Sequence, residues 1–229
     1  GNMLKDLGRL KEAEASCRQA IRLKPEFAEA HSNLGNALQE QDRLEEAESS
    51  YRQAIKLQVD YAEAYNNLSI TLKELGRLEE AEASCREAVR LNPDYTEAHS
   101  NLGVTLQELG RLEEAETSYA QATVLNPDYA EAHYNLSITL KGLGRLDEAE
   151  ASCRQAISLK PEFAKAHNNL GKILYSKGHK DLALESITKA NDIDPDSKEY
   201  RLLLSVLKSR NYREANEGAL GDMSNVGVS

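Results

Sequence analysis

The five prolines of the chain, Pro25, Pro93, Pro127, Pro161 and Pro195, stand 34 or 68 residues apart, and Val59 fills the vacant place on that ruler. A fixed period of this length means that one supersecondary unit is copied along the chain. Each copy is too small to hold a core of its own and must bury its apolar face against the next. Complete copies run Ala28–Tyr61, Ala62–Tyr95, Thr96–Tyr129, Ala130–Phe163 and Ala164–Ser197, after a partial copy over 1–27. Positions are counted 1–34 along this repeat below.

Within Ala62–Tyr95, Ala64, Leu68, Thr71, Leu72 and Leu75 recur three and four residues apart, which is one face of a helix. Gly76 stops that helix, and a second stripe follows through Leu78, Ala81, Cys85, Ala88, Val89 and Leu91. Asn92-Pro93 ends the second helix, because the residue before a proline is pushed out of helical geometry. Asp94 and Glu97 have the spacing of a capping pair for the next helix. The pattern predicts an all-α chain, a right-handed α-solenoid, with eleven helices over 1–197. A further helix over 198–213 is expected to cap the stack, with Tyr200, Leu203, Leu204 and Leu207 on its apolar face. The aperiodic Gly/Ser/Asn-rich segment 214–229 is expected to be a disordered tail or linker.

Several chemistries are disfavoured by the residues themselves. A net charge of −10 argues against nucleic acid as a general partner. No apolar run approaches 18 residues and no leader pattern opens the sequence, so an intracellular, cytoplasmic chain without membrane contact is expected. His31, His99, His133 and His167 all hold position 4, roughly 10 Å apart on successive helices, too far to share a metal. Cys17, Cys85 and Cys153 fall two repeats apart at an apolar position and read as small buried hydrophobes. The acidic pairs Glu79-Glu80, Glu113-Glu114 and Asp147-Glu148 lie in first turns of second helices, where negative charge suits the dipole, and read as solvated faces. No nucleophile, base and orienter set and no phosphate loop is present, so neither enzyme activity nor a cofactor is expected.

In the repeat Thr96–Tyr129, Leu102, Gly103, Ala115, Tyr119, Ala122 and Pro127 hold positions 7, 8, 20, 24, 27 and 32. This pattern resembles the tetratricopeptide repeat (TPR) family, in register over 1–197. Departures are the histidine or tyrosine at position 4, and Asp42 and Val59 where the family has glycine and proline. Position 24 alternates Cys17, Tyr51, Cys85, Tyr119, Cys153 and Ile187, so likeness is strongest every 68 residues and a two-repeat block was duplicated.

The resemblance implies a non-catalytic interaction scaffold that holds an extended peptide or partner segment in a groove lined by first helices, at positions 2, 5, 6, 9, 12 and 13. Position 6 is Asn33, Asn67, Asn101, Asn135 and Asn169. This ladder is similar to that of the superhelical TPR region of O-linked N-acetylglucosamine transferases. A carboxamide donates and accepts at once, so it can pair with a peptide unit irrespective of ligand sequence. Asn36, Lys73, Gln107, Tyr134, Lys141, Lys165, Asn168 and Lys172 complete the implied peptide-binding face. A co-chaperone type of carboxylate clamp is not implied, because position 5 never carries lysine. Two other roles fit the same repeats: the substrate-recruiting arm of a larger enzyme, and a structural array that associates end to end. For the latter, the face around Leu4, Leu10, Ala13 and Cys17 is expected to lack cover. Charge is polarised too, with 17 Lys+Arg against 28 Asp+Glu over 1–159 and 11 against 7 over 160–213.

Overall fold

The computed structural model describes residues 2–209, with the side chains of 8–209. Eleven helices precede residue 197: α1 (Asn2–Leu23), α2 (Ala28–Gln39), α3 (Leu44–Leu57), α4 (Ala62–Glu74), α5 (Leu78–Leu91), α6 (Thr96–Glu108), α7 (Leu112–Leu125), α8 (Ala130–Gly142), α9 (Leu146–Leu159), α10 (Ala164–Ser176) and α11 (Lys180–Ile193). A twelfth, α12, spans 198–209, and no strand occurs among the described residues. The other residues of the expected cap, 210–213, and the tail 214–229 lie outside them.

The chain forms two compact units, Gly1–Pro127 and Asp128–Ser229. In the first, each first helix packs on the second helix of its own repeat, as α2 on α3, α4 on α5 and α6 on α7. First helices also approach one another, α2 against α4 and α4 against α6, more closely than second helices do, so the first-helix layer is the inner one. In the second unit α8 packs on α9, α9 on α10, and α10 on α11.

Small residues set these distances. Ala47, Ala54, Ala81, Ala88, Ala98, Ala115 and Ala122 are fully buried, and Leu38, Leu72 and Leu106 fill the space between helices. Turns within a repeat are closed by left-handed glycines, Gly76, Gly110 and Gly144 at φ 76–77° and Gly178 at 85°. At Gly76 the amide donates to Lys73 O, and Arg77 N–H to Leu72 O, the paired bonds of a Schellman stop. Asp42 takes the same place with φ 60°. Gly8, at the equivalent position of the partial repeat, lies instead within the continuous helix α1.

Helix starts differ from expectation. Asp94 does not cap α6: Tyr95 is the N-cap residue and makes no side-chain cap bond. Asp94 lies one residue too early, and Asn92 Oδ1 accepts its amide at 3.2 Å. The histidines stitch these joints. Ring Nε2 of His31, His99 and His167 lies 3.0, 2.8 and 2.8 Å from the carbonyls of Pro25, Pro93 and Pro161, so Nε2 carries the proton.

Glu80 and Glu114, from the acidic pairs expected as solvated faces, lie at the surface and also take part in ion pairs that reach the preceding repeat. Arg77 contacts Glu48 at 2.7 Å and Glu80 at 2.7 Å, while Arg52 contacts Glu48 at 2.8 Å and Glu80 at 3.1 Å. The same quartet forms from Glu14, Arg18, Arg43 and Glu46, and from Glu82, Arg86, Arg111 and Glu114. Arg18, opposed by partial burial and helped by Arg43, pulls the Glu14 carboxyl down to about 2. Cys85 and Cys153 are fully buried, which pushes each thiol up to about 11. Cys17 is only partly buried, at the edge of the cluster formed by Leu34, Leu38, Ala47 and Tyr51. Of the expected end face, Leu10 is partly buried, Ala13 is exposed, and the side chain of Leu4 lies outside the described residues.

Asp42 and Val59 offer a direct test of the repeat's local rules. Gln58 has φ −137° and ψ 97°, close to the −134° and 92° of Asn92 before Pro93, and Val59 is 71% exposed. Val59→Pro should stabilise by about 0.4–1 kcal/mol through the unfolded chain. Asp42→Gly removes a left-handed strain of roughly 1 kcal/mol, partly offset by glycine's extra freedom when unfolded. Together they should raise the thermal midpoint; a lower midpoint would show that either backbone site differs from its counterparts.

Candidate functional site

The inner face of the first unit carries a run of side-chain amides. Asn101 Nδ2 donates to Asn66 Oδ1 at 2.9 Å, Asn66 Nδ2 to Asn67 Oδ1 at 3.3 Å, and Asn67 Nδ2 to Asn36 Oδ1 at 3.0 Å. Tyr51, fully buried behind α2, donates its hydroxyl to Asn36 Oδ1 at 2.7 Å and lies 3.1 Å from Gln39 Oε1. Gln39 Nε2 in turn donates to Glu74 Oε2 at 3.2 Å. The relay therefore crosses α6, α4 and α2 through consecutive first helices. It borders an open cavity of about 490 Å³ lined by Asn36, Gln39, Glu40, Asn67 and Glu74, all polar.

Asn36, Asn67 and Asn101 are thus linked to one another through Asn66, while Asn33 stands exposed on α2. Lys73 Nζ lies 3.7 Å from Glu108, and Gln107 Oε1 accepts from Tyr119 at 3.3 Å. Asn66, Gln39 and Glu74 hold the groove positions 5, 12 and 13 but were not singled out among them. Asn66 is 4% exposed at position 5, and only the helix crossing turns it toward Asn101.

In the second unit Asn135 is partly buried on α8, but Asn169 is only 6% exposed and donates to Ser137 Oγ at 2.8 Å. Its carboxamide serves the α8 to α10 contact instead of facing outward. Tyr134 packs on Phe163 with ring centroids 4.9 Å apart, and burial pushes its hydroxyl pKa up. Lys165 is exposed in the first turn of α10. Asn168 and Lys172 both meet Glu199 of α12, at 3.0 and 2.7 Å, and Lys172 holds that carboxyl below its usual range. Lys141 is partly buried, and desolvation followed by repulsion from Lys172 pushes its pKa down. The two faces have opposite character: carboxamides with Glu40 and Glu74 in the first unit, lysines in the second.

No group of three or more His, Cys, Asp or Glu side chains with metal-holding geometry occurs among the described residues, and none of their helices is long and apolar enough to cross a membrane.

Sequence models described as TPR repeat match residues 1–42 and 139–178, and models described as tetratricopeptide repeat match 33–96, 72–137 and 164–197. Comparison with curated proteins finds no match. Solved structures are similar over most of the chain. YrrB, described as a TPR protein with an unusual peptide-binding site, is 27% identical with a TM-score of 0.69, over 84% of this chain and 99% of its own. TTC0263, a thermophilic TPR protein of Thermus thermophilus, is 26% identical with a TM-score of 0.61, over 79% and 98%. PilF of Pseudomonas aeruginosa is 21% identical with a TM-score of 0.76, over 86% and 90%, a likeness of fold.

Proposed function

Since the chain belongs to the tetratricopeptide repeat family, we propose that it is a non-catalytic scaffold whose first helices hold an extended segment of a partner protein. The observation that carries this reading is the all-polar cavity bordered by Asn36 and Asn67, where amide groups stand ready beside open space. Carboxamides can exchange a neighbour for a peptide unit at little net cost, because each offers a donor and an acceptor. A peptide-binding site in YrrB, at 27% identity, supports the same assignment. In the first unit Glu40 and Glu74 favour basic residues in a bound segment, and in the second Lys141 and Lys172 favour acidic ones, each steered within roughly 8 Å at physiological salt.

Replacing Asn67, Asn101 and Asn135 together by alanine tests the ladder. Hydrogen bonds worth about 0.5–1.5 kcal/mol each would be lost to any ligand, so affinity should fall for unrelated peptides by similar factors. The probes are peptides selected from a random library against the wild-type chain, titrated calorimetrically. Because Asn67 and Asn101 also tie α2, α4 and α6, the melting temperature should fall as well. Affinity decides: a triple variant that melts lower yet binds every selected peptide normally would leave the asparagines a purely structural role.

A further inference from the structure

Asn168 and Lys172 stand one turn apart on α10, and both reach the same oxygen, Glu199 Oε1 of α12, at 3.0 and 2.7 Å. Two adjacent groups remain unmatched. Asn168 is 5% exposed, and its Oδ1, closed off from solvent, meets no donor among the described residues. Lys141 on α8 has no carboxylate partner among the described residues, although Lys172 is close enough to disfavour its charge. One carboxylate therefore answers half an amide and one of two ammonium groups. A finished structural joint would be expected to satisfy a buried acceptor.

We propose that this face of the second unit binds an acidic residue of an extended peptide, and that Glu199 is an internal stand-in for the ligand carboxylate, displaced when the ligand arrives. The proposal rests on the groove reading above and specifies its ligand and control. An acidic peptide supplies what the site lacks: negative charge for Lys172 and Lys141 and, once Glu199 swings aside and opens the Asn168 carboxamide, a main-chain N–H for its Oδ1. A neutral peptide would leave Lys172 without the carboxylate it gives up. Displacement does not require α12 to leave. Tyr200 and Leu207 anchor that helix at 5% and 4% exposure, whereas the Glu199 side chain is 60% exposed and can rotate into water.

The experiment uses the full chain and two blocked six-residue peptides, one alternating Glu and Ser and the other Gln and Ser, each labelled and followed by fluorescence anisotropy. In Glu199→Gln the competitor is weakened while shape is kept, so the acidic peptide should bind about tenfold more tightly than to wild type, as when an occluded state is removed. Adding Lys172→Met should abolish the gain, and the neutral peptide should show none. Helical content and a thermal melt establish that Glu199→Gln is folded. An unchanged or weaker acidic affinity overturns the proposal, as does an equal gain for the neutral peptide, which would report mere opening. If both peptides bind all variants alike, the stand-in role falls and the groove survives; if neither peptide binds any variant, the groove reading falls with it.

Discussion

Gly103→Ser should destabilise the chain by about 1–3 kcal/mol through overpacking, and Tyr119→Cys by about 3–5 kcal/mol through the cavity it opens, yet the double variant should recover most of both losses. A Cβ on Gly103 would stand 2.7 Å from Tyr119 Cε1, closer than packed atoms approach. A Cβ on Gly35 would run into the Tyr51 ring, and one on Gly171 into Ile187, in the same way. In the intervening repeats Ser69 and Ser137 hold position 8, and fully buried Cys85 and Cys153 hold position 24. Bulk is exchanged between two facing positions at constant fill. The double variant rebuilds the Ser69 and Cys85 combination in another repeat. Urea unfolding of the four proteins gives the coupling; simple addition of the two losses would show that the pairs are independent.

The second large effect is expected at Leu72, 1% exposed on α4 and packed in the cluster with Leu68, Tyr51 and Ala81. Leu72→Ala should lower stability by about 2–5 kcal/mol. Val124→Ala, at a side chain 72% exposed, should stay within about 0.5 kcal/mol. Helix α4 carries Asn66 and Asn67, so loosening it also loosens the amide relay between α2 and α6. Side-chain amide signals of Asn67 and Asn101 should broaden in Leu72→Ala and stay sharp in Val124→Ala. Equal denaturation midpoints for the two variants would contradict the packing described for α4.

How much of this was legible beforehand follows from what each pattern encodes. Period 34, spacings of three and four, and the stops at Gly76 and Asn92-Pro93 are local, and they placed the eleven helices before residue 197. The alternation at position 24 was visible as a rhythm, but its cause is a contact with position 8, sixteen residues earlier. The amide relay was half legible. Asparagine at position 6 was correctly placed on first helices, but whether a carboxamide faces a groove or a neighbouring helix depends on how helices cross. That geometry leaves Asn33 exposed, turns Asn169 onto Ser137, and recruits Asn66 from position 5. Glu199 escaped notice because its meaning comes from α10, twenty-seven residues before it at Lys172.

The ion-pair quartets have a genealogical consequence. Each joins Glu and Arg of one repeat to Arg and Glu of the next by the same four contacts, so the connector is identical on both sides of the repeats Ala28–Tyr61 and Ala62–Tyr95, whereas Ala120 and Lys177 break the pattern further along. Excising residues 62–95 would set Glu48 and Arg52 opposite Arg111 and Glu114, residues already matched to such partners. Unequal recombination between copies would thus yield shorter or longer descendants whose seams still close. In this part of the array, length can change without any compensating substitution at the joint.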